Sequence, residues 1–366
     1  MSIKVAYLFG AGASQGELNL SGGLQSILMD SIAEDIAIKM REMGESIFDD
    51  VSNDLITGVN IEHLITLYES SGSRLHSQIA TKLKTLFRKE IQDRIRKLGG
   101  KFIPSVLSAL IDMYSVDGLG EELGLLLTTN YEDLLERAVQ EVKGGVNYVI
   151  KTNSEGSYLS TSEAAIPILK LHGSFNWKND YPIAIESDIE EEEDIIWIPP
   201  GVVKRRQYYP FDVIWGKARE LLECQVLRII GCSLSTSDWE LISLLFTTQR
   251  QGTEQTPQYE IELIDYPEHC SKVQQRYGYL RDIKTILEIQ EVREFLVKTY
   301  LPNYIGQKDI PEERINGIAK HINNQNIFEL WLRSKGEHLY DNGASLETEK
   351  GYFKKFILSG LGYGEA

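Results

Sequence analysis

The chain has 366 residues, 42% hydrophobic and 25% charged, a balance that excludes disordered, collagen-like and repeat proteins and fits two or three domains, or one large α/β domain with an inserted module. Lys and Arg total 38 against 54 Asp and Glu, a formal charge of −16, so nucleic-acid binding by the whole surface is disfavoured. No apolar run approaches the roughly 20 residues of a membrane span, the start lacks a signal-peptide pattern, and three cysteines without a CxxC pair build neither a disulfide framework nor a four-thiolate zinc site; a cytoplasmic protein is expected.

Residues 5–9 are a short apolar run ending in Gly10-Ala11-Gly12-Ala13-Ser14, the pattern of a buried parallel strand that feeds a glycine turn and a helix. Such a turn lets backbone N–H groups and the positive helix end approach a pyrophosphate, with Ser14 adding a hydroxyl. A tight structural turn is the other reading, because Gln15 and Gly16 break the GxGxxG spacing. Gly12→Val is expected to abolish binding and leave the fold intact. From about 24 to 115 the pattern is mostly helical, with one stripe at Leu24, Ile27, Leu28, Ile32 and Ile36 and a second at Leu83, Leu86, Phe87 and Ile91, which reads as an inserted helical module. Eight basic residues between 82 and 101 read as a solvated helix face.

Strand-like runs return at 123–128, 146–151, 166–171, 195–198, 226–230, 259–265 and 285–289, separated mostly by helices or loops, and this alternation implies a parallel sheet. The acidic run at 186–194 reads as a solvated loop. Beyond about 290 the pattern is helical again, at 292–300, 311–322 and 327–335.

Open α/β sheets bind ligands at the carboxyl ends of their strands, and the polar residues there are the candidates for chemistry. Thr129 and Asn130 follow the run at 123–128; a helix N-cap is the other reading of Asn130. His172 follows Leu171 beside a flexible Gly173-Ser174 backbone and is the best general-base candidate among six histidines. Gly231 and Ser233 close a third strand and suit a second phosphate, with Ser237 or Asp238 as a helix N-cap. Asp265 closes a fourth and suits ribose hydroxyls, or else caps a turn before Pro267. A hydride-transferring dehydrogenase would carry an acid about 20 residues after the glycines at a strand end; here Asp30, Glu34 and Asp35 fall within a helical pattern.

Taken together, GAGAS at 10–14, TTNY at 128–131, KLHGS at 170–174, WIPP at 197–200, Trp215 before Ala218 and IIGCSLS at 229–235 resemble the sirtuin-like domain of bacterial proteins, in order and in spacing, over about residues 1–290. The resemblance implies an α/β fold, a Rossmann-like parallel sheet with the helical module inserted and a C-terminal helical extension at 291–366. It implies NAD as substrate without a metal, with Asn130 and His172 catalytic and Gly10, Ala11, Gly12, Ser14, Thr129, Gly231, Ser233 and Asp265 holding NAD. The paired CxxC motifs of protein-deacylating sirtuins are missing, the segment 15–23 lacks their usual arginine, and Glu132 and Thr236 stand where the family commonly has Asp. Zinc-free bacterial members resemble anti-phage NADases, which hydrolyse NAD to nicotinamide and ADP-ribose, act as assemblies and can work with a HerA-type ATPase. A homo-oligomer is expected, with apolar surface offered by Phe328, Leu330, Trp331 and Phe353. A non-catalytic NAD or ADP-ribose binding module and a zinc-free protein deacylase are the alternatives.

Overall fold

The computed structural model describes residues 2–20, 25–44, 46–116, 119–150, 166–178, 195–201, 209–251, 258–281, 283–285, 327–341 and 352–353. At its centre β1 (Ile3–Phe9) pairs in parallel with β2 (Glu121–Thr128), which continues to β3 (Ile168–Lys170). A separate antiparallel ribbon joins β4 (Gly173–Lys178) to β5 (Ile195–Trp197). On its other side β1 pairs with β6 (Val226–Ile230), followed by β7 (Glu260–Ile264) and β8 (Ile283–Thr285), so the main sheet runs β3-β2-β1-β6-β7-β8. The order reverses at β1, as in Rossmann-like sheets, and the crevice at that switch is the usual ligand position.

Val5 through Phe9 are at most 1% exposed, because helices cover both faces and leave the central strand no polar side. Register then decides what meets at the carboxyl edge. Phe9 pairs with Thr128 and Ile230, and Ile230 with Ile264. The next residue of each strand, Gly10, Thr129, Gly231 or Asp265, therefore leaves the sheet at one level.

Between α1 (Ala11–Leu20) and β2 stand α2 (Met29–Glu42), α3 (Ser46–Ile56), α4 (Ile61–Ser70), α5 (Arg74–Arg96) and α6 (Ser105–Met113). Ile32, Ile36, Leu83, Leu86, Phe87 and Ile91 are buried as their stripes require, whereas Ile27 and Leu28 precede α2 and Leu24 lies outside the described residues. The basic face of α5 is not wholly solvated: Arg88 and Arg94 are buried. Arg94 pairs with Asp35 at 2.6 Å and donates to the Ser26 carbonyl, since a buried charge is retained only where it is paired.

The remaining helices are α7 (Leu134–Lys143), α8 (Phe211–Leu221), α9 (Trp239–Gln249), α10 (Pro267–Arg276) and α11 (Ile327–Asp341). Three expectations are corrected. Residues 146–150 form no strand, only an isolated bridge between Asn147 and Pro167. The backbone after His172 is β4: Gly173, at φ +76°, lies where a Cβ would stand 2.3 Å from the Ile196 carbonyl oxygen, so glycine serves a close backbone approach. Phe328, Leu330, Trp331 and Phe353 are no more than 3% exposed, so these side chains pack inside their own chain and provide no surface for assembly. Trp331 packs edge-on to Tyr7 of β1, 6.4 Å between ring centres. The runs at 186–194, 286–289, 292–300 and 311–322 lie outside the described residues. No helix among the described residues is long and apolar enough to cross a membrane.

Candidate functional site

A cavity of about 270 Å³ opens at the carboxyl edge of the sheet, between the strand ends and the helical module. Of the ten residues singled out from sequence, Gly10, Ala11, Gly12, Thr129, Asn130, His172, Gly231, Ser233 and Asp265 line it. Ser14 does not: it is 2% exposed and lies behind Asn130. The module contributes Ile27, Leu28, Met29, Glu62, Phe87 and Ile91.

The glycine turn is a backbone-on-backbone contact. The Gly10 N–H donates to the Ile230 carbonyl at 3.0 Å and the Gly12 N–H to the Gly231 carbonyl at 2.8 Å. A Cβ on Gly10 would meet the Gly231 oxygen at 2.5 Å, and one on Gly12 the Gly231 Cα at 2.8 Å. Gly231 itself has φ +57°, and a Cβ there would lie 2.2 Å from the Ala13 nitrogen. All three glycines thus serve the joint between β1 and β6, and a valine at Gly12 would displace that joint. The expectation that this change spares the fold is corrected. The structural reading of the turn therefore holds, and the α1 N-terminus that the joint fixes, with exposed Ala11 first, opens into the cavity.

Asn130 does not cap α7, whose N-cap is Asp133. Its Nδ2 donates to the Gly10 carbonyl and to Ser14 Oγ, both at 3.0 Å. A carbonyl can only accept, which fixes the amide orientation. With both Nδ2 hydrogens engaged, Oδ1 is the group left over, and it accepts from none of the described residues. Ser14 Oγ donates in turn to Glu132, whose other oxygen accepts from the Leu134 N–H at 3.0 Å. Lys170, fully buried, donates to the Glu132 carbonyl and pairs with Glu136 at 2.6 Å. Burial pushes the Glu136 carboxyl upward, and the Lys170 ammonium opposes that.

His172 follows β3 and is 3% exposed. Its carbonyl accepts from the Ile198 N–H at 2.8 Å, and the Tyr131 ring lies 6.1 Å from its imidazole, tilted by 32°. Tyr131 stacks on Phe175 at 5.0 Å and donates to the Ile198 carbonyl at 3.0 Å. Burial holds its phenol well above the usual range, helped by the Glu62 and Asp238 carboxylates, so it remains a neutral donor. Asp238 Oδ1 stands 3.2 Å from His172 Nε2. Asp265 lines the cavity, and its Oδ1 accepts from the Tyr266 N–H at 2.7 Å and lies 3.2 Å from His269.

Glu62 and the facing of Asp238 onto His172 escaped sequence reasoning. Glu62 sits one residue into α4, beyond the Asn60 cap, and accepts from Ser237 Oγ; nothing local sets it apart from a solvated first-turn acid. Gln15, which breaks the glycine spacing, had a signal but no meaning until the fold gave it one: its Oε1 accepts from the Ile27 N–H and Ser26 Oγ, both at 2.8 Å, and so pins the segment that walls the cavity. The carboxylates and imidazoles of the lining are Glu62, Glu132, Asp238, Asp265, His172 and His269, and among the described residues that line it there is no Lys or Arg. Among the described lining residues an anion meets backbone N–H groups, neutral hydroxyl and amide donors and the α1 end, and the acidic side favours positive charge.

Residues 124–282 match the family model of the SIR2-like domain, so a sirtuin-like domain is present from β2 to beyond α10; the glycine turn precedes the matched stretch. Among solved structures, a Sir2 homologue in complex with NAD is 15% identical, with 88% of this chain and 90% of that one covered and a TM-score of 0.36. A point mutant of a Sir2 homologue in complex with ADP-ribose is 17% identical, with 72% and 81% covered and a TM-score of 0.33. No curated protein sequence matches the chain.

Proposed function

We propose that the chain is an NAD+ glycohydrolase that releases nicotinamide and ADP-ribose. The observation that carries this reading is the meeting, in one cavity, of the glycine turn, the Oδ1 acceptor of Asn130 and His172. The SIR2-like match over 124–282 supports it. The pyrophosphate lies over the Gly10–Gly12 turn, where the α1 end favours an anion, and Asp265 accepts from ribose hydroxyls. The positively charged nicotinamide ring lies toward the acidic side of the cavity at Glu62 and Glu132.

When the bond between the ring nitrogen and ribosyl C1′ breaks, its electron pair goes to the ring, which leaves neutral, and positive charge develops on the ribose. A water oxygen held by Asn130 Oδ1 forms the new bond to C1′, and its proton passes to His172. Antiviral NAD depletion, homo-oligomerisation and a HerA-type ATPase partner belong to this same reading, on the strength of the resemblance alone. The test is incubation of the purified chain with NAD, with and without an acylated peptide. Equal nicotinamide release in both is expected, and release only with the peptide would make the chain a deacylase.

A further inference from the structure

The pairing of Asp238 with His172 is a second device of the same site, and its role rests on the NAD-cleaving reading. Asp238 occupies the N-cap position of α9, yet its side chain makes no capping hydrogen bond. Its backbone is fixed on both sides: the N–H donates to the Ser235 carbonyl at 3.0 Å, and the carbonyl accepts from the Ile242 N–H at 3.1 Å. The side chain, 14% exposed, instead brings Oδ1 to 3.2 Å from Nε2 of the 3%-exposed His172. A carboxylate at a helix N-terminus is stabilised as the anion by the aligned peptide dipoles. An anion facing one imidazole nitrogen can only accept, so it fixes the proton on that nitrogen and leaves the lone pair on the other.

We infer that Asp238 is the positioning residue of His172: it holds the Nε2 proton and the ring orientation, so that Nδ1 takes the proton of the attacking water. Nε2 is closed to solvent in the structure, which leaves proton exchange with a ligand to Nδ1. The two groups lie within ion-pair distance but are not aligned as a hydrogen bond. Catalytic hydrogen bonds are commonly loose before the ligand arrives and tighten in the complex. Tyr131, packed beside the imidazole and held through Ile198, limits how far the ring can turn away.

The test combines kinetics with a spectrum. Asp238→Ala is expected to lower kcat for nicotinamide release by on the order of 10- to 10²-fold with KM nearly unchanged. In a His172→Ala background the same change should have no further effect, because a residue acting only through His172 has nothing left to act on. A raised KM with kcat intact, or an undiminished effect in the double variant, would overturn the assignment and make Asp238 a direct ligand contact or a structural residue. Independently of turnover, the wild-type chain with ADP-ribose added should show a low-field imidazole N–H proton resonance that disappears in both His172→Gln and Asp238→Ala. Its absence from the wild type would also overturn the assignment. If the resonance is present but NAD is not cleaved, the glycohydrolase reading fails while the Asp238–His172 pair stands.

Discussion

Replacing Gly231 by alanine tests whether the β1–β6 joint is what shapes the cavity floor. At φ +57° a side chain costs about 1–2 kcal/mol from the left-handed backbone alone. The added Cβ would also stand 2.2 Å from the Ala13 nitrogen and 2.5 Å from the Gly12 carbonyl carbon. Both are backbone atoms that cannot swing aside, so overpacking adds about 1–3 kcal/mol. The total is a loss of about 2–5 kcal/mol. Gly12→Ala meets Gly231 Cα at 2.8 Å and its oxygen at 2.9 Å, a milder clash, and the gain of about 1 kcal/mol from alanine in a helix offsets part of it. Gly216, within α8, has nothing within 4 Å of its added Cβ, so Gly216→Ala should stabilise by about 1 kcal/mol. Urea unfolding of the three variants should rank Gly216→Ala above wild type, Gly12→Ala below it and Gly231→Ala lowest. NAD affinity, measured by calorimetry on folded protein, should fall in the last two. A Gly231→Ala chain within about 0.5 kcal/mol of wild type, a change typical of an unconstrained surface site, would refute the joint.

Three further outcomes follow from polar groups that are hydrogen-bonded within the chain. Asn130→Ala removes the bonds to Gly10 and Ser14 and should cost about 1–3 kcal/mol in unfolding free energy and on the order of 10²-fold or more in nicotinamide release; Asn130→Asp, which sets an acceptor against the Gly10 carbonyl, should restore neither. Lys170→Met leaves Glu136 buried without its 2.6 Å partner, and a loss of about 3–5 kcal/mol on denaturation is expected. Glu17, which accepts from the Leu107 N–H at 2.7 Å, is pushed up by burial from 4.5 to about 7. Because the folded chain then binds this proton more tightly than the unfolded one, its contribution to stability falls as pH rises from about 4.5 to 7. Glu17→Gln should therefore match wild type near pH 4.5 and exceed it by up to about 3 kcal/mol above pH 7, read from pH-dependent melting.

The strand ends were legible because each is written locally: a short apolar run followed by glycine, hydroxyl or amide residues, as at Phe9-Gly10, Thr128-Thr129-Asn130 and Ile230-Gly231. Parallel register then does the assembling, and one level of the sheet gathers them. The ribbon strand β4 was not legible, since Gly173-Ser174-Phe175-Asn176-Trp177 opens like a loop and becomes a strand only through pairing with β5. Asp238 could be read only as a cap from its neighbours; its approach to His172 joins two segments 66 positions apart, which no local pattern encodes. The burial of Arg94 follows from partners at Ser26 and Asp35 on other segments, which helical periodicity does not encode. Phe328, Leu330 and Trp331 were read correctly as apolar, but whether such a stripe meets its own core or another copy is decided by the sheet it faces.

The most direct measurement follows NAD consumption and nicotinamide appearance over time for the wild-type chain and for His172→Ala, at equal concentrations of folded protein and without any acyl acceptor. One nicotinamide and one ADP-ribose for each NAD lost is the expected result for wild type, with a rate lower by on the order of 10²-fold or more for His172→Ala. NAD that binds to wild type and stays intact, or a folded His172→Ala that cleaves it at the wild-type rate, would contradict hydrolysis in this cavity.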